Sequence, residues 1–129
     1  MKKLSLYIFL VLMFLSKSSI AKNIPHPMDF NGSDKEKKNV IAFIESNIHE
    51  IYCENELLKD MCTNTLLRVM EEEELNAFKK LTKAKDKTIL NKIIQTYCKN
   101  PLLEGMCMYS LILTMYEEEV IASGQKLTW

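Results

Sequence analysis

Histidine, glycine, proline and tryptophan are all scarce in this chain, with two, three, three and one respectively among 129 residues. His26 and His49 form no H-E-x-x-H or E-x-x-H arrangement, so a catalytic metal or a carboxylate-bridged di-metal centre lacks its imidazoles. The same shortage denies a serine nucleophile its base. Gly32, Gly105 and Gly124 stand apart, and no phosphate-cradling loop can be written around them. Net charge is also missing, with 17 basic against 17 acidic residues, whereas a nucleic-acid-binding domain carries a basic footprint. Beyond the first block, the most apolar run, Met106 to Tyr116, is about half the length of a membrane span and contains Ser110 and Thr114. The sequence therefore implies no cofactor, no metal, no nucleic acid and no catalytic residue.

What is present begins with an export signal. Lys2 and Lys3 precede an apolar stretch from Leu4 to Leu15, and Ser19 and Ala21 occupy the −3 and −1 positions of a cleavage site, making Lys22 the expected first mature residue. The apolar stretch is too short to span a bilayer, so residues 1–21 read as a cleaved signal peptide that leaves no span behind. Its three lysines and absence of acids leave the mature chain with 14 basic and 17 acidic residues, a net charge of −3. The expected location is periplasmic or secreted.

All four cysteines, Cys53, Cys62, Cys98 and Cys107, fall in the mature part. An even count in an exported chain reads as a disulfide framework. Zinc sites favour C-x(2–4)-C pairs, whereas both pairs here are C-x8-C. The pairs belong to an internal repeat offset by 45 residues, from Cys53 to Cys98. Tyr52-Cys53-Glu-Asn-Glu-Leu-Leu-Lys-Asp-Met-Cys62 lies over Tyr97-Cys98-Lys-Asn-Pro-Leu-Leu-Glu-Gly-Met-Cys107. The match continues without a gap through Leu66 and Leu111, Met70 and Met115, and Glu72 to Glu74 over Glu117 to Glu119.

Each copy reads as a helical hairpin. Val40, Ile41, Phe43, Ile44, Ile48, Ile51 and Tyr52 recur at spacings of three and four, the pattern of an amphipathic helix. Ser33-Asp-Lys-Glu36 is a capping-box pattern in which Glu36 reaches back to the Ser33 amide, so the first helix should run from about Asp34 to Tyr52. Ile89, Leu90, Ile93, Ile94 and Tyr97 repeat it, with Asp86 as N-cap. Asn100-Pro101 reads as an N-cap followed by proline at N1, and Asn55 is its equivalent. The second helix of each copy should thus begin near Glu56 and Pro101, with Leu57, Leu58 and Met61, and Leu102, Leu103 and Met106, on its apolar stripe. Ser123-Gly124 reads as the final stop.

Nine residues along one continuous helix would separate paired cysteines by about 13 Å, far beyond bonding distance. A turn after Cys53 and after Cys98 removes that obstacle and favours Cys53–Cys62 and Cys98–Cys107, with cross-pairing left open. The fold expectation is all-α: two tandem disulfide-stapled helical hairpins packed as a four-helix array with pseudo-twofold symmetry. Residues 33–129 form one domain, made of repeat 1 at about 33–81 and repeat 2 at about 86–126, behind a flexible leader at 22–32. The last helix, apolar nearly all round, reads as the central helix or as half of a homodimer interface.

Three features remain for binding. The acidic runs Glu71, Glu72, Glu73, Glu74 and Glu117, Glu118, Glu119 are a solvated face or, if pseudo-symmetry brings them together, an acidic patch that steers a basic partner. Trp129 ends a Gln-Lys-Leu-Thr-Trp tail, expected to pack back on the bundle, with a projecting anchor as the alternative.

A signal peptide, a helical mature domain of about this size and Tyr-Cys-x8-Cys motifs at helix corners resemble the small periplasmic immunity proteins that neutralise peptidoglycan-cleaving effectors of type VI secretion systems. The resemblance rests on Tyr52-Cys53 to Cys62 and Tyr97-Cys98 to Cys107. It implies a non-enzymatic inhibitor that occludes the cleft of an effector or hydrolase, often as a dimer. A saposin-like carrier of lipid or another apolar ligand is the alternative. A small hydrolase using paired glutamates stands third, since consecutive glutamates on a helix are poorly placed for glycoside hydrolysis.

Overall fold

The structure, a computed structural model, describes residues 23–129; the expected signal peptide lies outside the described residues. Four helices account for most of the chain: α1 Asp34–His49, α2 Asn64–Leu81, α3 Lys87–Cys98 and α4 Tyr109–Ser123. There is no strand among the described residues. The sequence forms these helices through its local caps. Ser33 Oγ accepts the Glu36 amide at 3.3 Å, and Asp86 Oδ1 accepts the Ile89 amide at 2.9 Å. Thr63 Oγ1 accepts the Leu66 amide at the start of α2. The capping box forms only in part. Glu36 reaches past Ser33 to the Asn31 amide at 2.6 Å, while the Ser33 amide turns to Asn31 Oδ1 at 2.8 Å. Gly32, at φ +80°, makes that tight loop without the strain a side chain would bring.

The expected starts of the second helices are corrected by about eight residues. Asn55 and Asn100 do cap, but what they cap is a 3₁₀ turn, at Lys59–Met61 in the first copy and Pro101–Met106 in the second. A helix begun at Asn100 would carry Cys107 away from Cys98, so the disulfide and a continuous helix exclude one another. The first corner is entered through a π-helical turn, Glu50–Glu54, which places Cys53 at the bend.

Both bonds pair as expected, Cys53–Cys62 with Cα atoms 4.9 Å apart and Cys98–Cys107 at 4.7 Å. The hairpins are α1–α2 and α3–α4, and they dock through α2 against α4. The chain is thus an all-helical, disulfide-stapled bundle with its two copies in matching roles. Val40, Ile44 and Ile48 of α1, Ala77, Phe78 and Leu81 of α2, Leu90, Ile93 and Ile94 of α3, and Tyr109 and Ile112 of α4 form one core. The last helix is central, since α4 packs on both α2 and α3.

The leader, expected to be flexible, is instead packed onto the bundle. Ile24 and Pro27 are buried, and the Tyr109 hydroxyl donates to the Pro25 carbonyl at 2.7 Å. Asp29 pairs with Lys87 at 3.1 Å. His26 Nδ1 accepts the Met28 amide, so Nε2 carries the proton and donates to Asn91 Oδ1 at 2.5 Å. Edge-to-face ring contacts run from Phe30 to Phe78 to Tyr109 to Phe43, tying leader, α2, α4 and α1 into one aromatic chain.

Candidate functional site

The two corners repeat one another bond for bond. In the first, Asn55 Oδ1 accepts the Leu57 amide at 2.9 Å and the Asn55 carbonyl accepts the Leu58 amide at 3.0 Å. In the second, Asn100 makes the same pair with Leu102 and Leu103, both at 3.0 Å. Each corner leaves through the carbonyl of its methionine, Met61 to the Thr63 amide and Met106 to the Met108 amide. The asparagine turn and the disulfide together hold a loop that lacks core contacts of its own.

That frame puts apolar side chains into solvent. Leu57 and Leu102 are each 91% exposed, and Met61 and Met106 are 47% and 41% exposed. All four were expected on helical stripes, and the displaced helix starts are what release them. The corners lie at the same end of the bundle, because Asn47, in the last turn of α1, donates from Nδ2 to the Cys107 carbonyl at 2.9 Å. Their surroundings differ in charge. Glu54, Glu56 and Asp60 against Lys59 make the first corner acidic, with Glu56 and Lys59 paired at 2.6 Å. The second corner has Lys99, Pro101 and Gly105 at the positions of Glu54, Glu56 and Asp60.

The acidic runs divide into separate roles. Glu74 is 1% exposed, and its carboxylate accepts the Tyr109 amide at 2.6 Å and the Ser110 amide at 3.0 Å. It is the N-cap of α4, supplied from α2, because Met108 offers no capping side chain. The buried charge is met there by two amides and the positive end of the helix dipole. Glu74 is therefore removed from any partner surface. Glu71 pairs with Arg68 at 2.7 Å, and Arg68 also approaches Glu45 at 3.6 Å. Glu72 and Glu73 are exposed beside the α2–α4 groove. Glu117 and Glu118 are exposed on α4, and Glu119 lies 3.9 Å from Lys92.

Pseudo-symmetry does not merge the two runs. Glu74 meets the first turn of α4, and Glu117 lies eight residues further along that helix, about 12 Å by rise alone. Trp129 does not pack back; it stands fully exposed together with Leu127.

Burial first, and then the charge of Glu74, push the Tyr109 phenol above the usual tyrosine range, which keeps its hydroxyl a donor to Pro25. Among the described residues no three His, Cys, Asp or Glu side chains are grouped as a metal would need, and no helix is long and apolar enough to cross a membrane. The chain matches no protein family, no curated protein and no solved structure.

Proposed function

We propose that this is an exported, non-enzymatic binding protein of the immunity type, which blocks a toxin or cell-wall hydrolase by inserting its disulfide corners into the partner's cleft. The observation that carries the reading is the pair Leu57 and Leu102: identical in both copies, held by identical turns, and each 91% exposed. Core packing does not account for either residue. Apolar side chains on a preorganised loop are the form a binding anchor takes, since the loop loses little entropy on docking. Two disulfides are compatible with an oxidising extracellular compartment, and a periplasmic or secreted inhibitor fits that setting. The acidic first corner suits a cleft with basic residues at its mouth.

The test is capture from envelope extract of its own organism with the oxidised protein as bait, followed by assay of the captured enzyme. One cell-wall hydrolase or toxin should be recovered and inhibited. Leu57→Asp and Leu102→Asp should each weaken inhibition by about tenfold or more, with helicity unchanged. Recovery of no such enzyme, or inhibition indifferent to both changes, overturns the proposal.

A further inference from the structure

At the end of α1 away from the corners, the groove between α1 and α2 stays open. Its wider part, about 370 Å³, has a floor of Phe30, Val40, Ile41, Leu75 and Phe78, with Lys37 and Lys79 at its rim. Ile41 and Leu75 also line a continuation of about 240 Å³, which ends at the Arg68 pairs with Glu71 and Glu45. From Lys37 to Glu45 this trough spans eight residues of α1, about 12 Å by rise. Cations stand at one end, apolar side chains run along the middle, and an ion-pair network that satisfies its own charges closes the other end. Lys37 has only a solvent-exposed contact with Asp34 at 3.6 Å, the kind of pair that gives way at little cost.

We propose that this trough binds a single-chain anionic amphiphile of the fatty-acid class, its carboxylate between Lys37 and Lys79 and its chain along Ile41 and Leu75 toward Ile44. The volume falls in the range of small-molecule sites, which are mostly apolar with a few placed polar groups. A cationic amphiphile meets two like charges at the mouth, and a neutral one forgoes the lysines. The site lies about 18 Å by helix rise from the end of α1 where the first corner begins, so this inference stands independently of the inhibitor reading.

The experiment is a titration of the mature, oxidised protein with dodecanoate below its micelle concentration, followed by amide NMR shifts. Dodecanol and dodecyltrimethylammonium serve as head-group controls. Saturable shifts should centre on Lys37 to Ile44 and Leu75 to Lys79, and dodecanol should bind at least about tenfold more weakly. The exposed double variant Lys37→Glu/Lys79→Glu should lose about tenfold or more in affinity while keeping its helicity. The proposal is overturned if dodecanoate gives no saturable shifts, if dodecanol binds equally well, or if the double variant binds unchanged. Sedimentation with anionic phospholipid vesicles in the absence of dodecanoate binding also overturns it, in favour of a membrane surface.

Discussion

Glu74 and Tyr109 concentrate the cost of joining the two hairpins. The Glu74 carboxylate holds the first two amides of α4, and Tyr109 carries its own ring contacts and the bond to Pro25. Glu74→Ala leaves two buried donors unmet and should destabilise the fold by about 2–4 kcal/mol in urea unfolding, with exchange protection lost first in the opening turn of α4. Glu73→Ala, on the exposed face, should stay within about 0.5 kcal/mol. Tyr109 gives a pH signature of defined sign. Its phenol is raised in the folded state, so its contribution is complete below the ordinary tyrosine value of about 10 and is lost as pH rises above it, when the unfolded chain ionises and the folded one does not. Tyr109→Phe should flatten the alkaline fall in stability above about pH 10, at a cost near 1 kcal/mol for the lost Pro25 bond.

At the scale of elements, the corners show what a local reading reaches. The C-x8-C spacing with an asparagine two residues after the first cysteine is enough to pair the disulfides, because both signals act within ten residues. Ser33 and Asp86 as caps are legible for the same reason. The starts of α2 and α4 are not. Asn100-Pro101 signals a helical beginning, and the 3₁₀ turn that follows satisfies that signal before the disulfide closes it off. Thr63 was the available cue for α2. For α4 no cue exists nearby, since its cap comes from Glu74, on another helix. Leu57 and Leu102 were therefore read as core, although their identity in both copies was visible. The two staples close loops of equal separation, nine residues, so their entropic contributions match at about 2–3 kcal/mol each. Cys98 and Cys107 are buried and Cys62 is exposed. Replacing the Cys98–Cys107 pair by alanines should accordingly cost more in thermal unfolding than replacing Cys53–Cys62.

For the whole molecule, duplication gives two hairpins that cannot bury their stripes alone, and docking α2 on α4 makes one core from both. The copies have then diverged where docking demands it. Glu74 is a buried cap while its counterpart Glu119 sits near Lys92 at the surface, and Asn47 anchors the second corner while Lys92 stands at the matching position of α3. Those shifts explain why the acidic runs, alike in sequence, do not meet. What has not diverged is the pair of exposed corners, and the proposed function rests on them. The most direct measurement is hydrogen exchange of the protein alone and in complex with the enzyme it captures. Protection confined to residues 54–63 and 99–108 is the predicted result. Protection of Glu117 to Glu119 or of the Trp129 tail, with both corners exchanging as in the free protein, would contradict it.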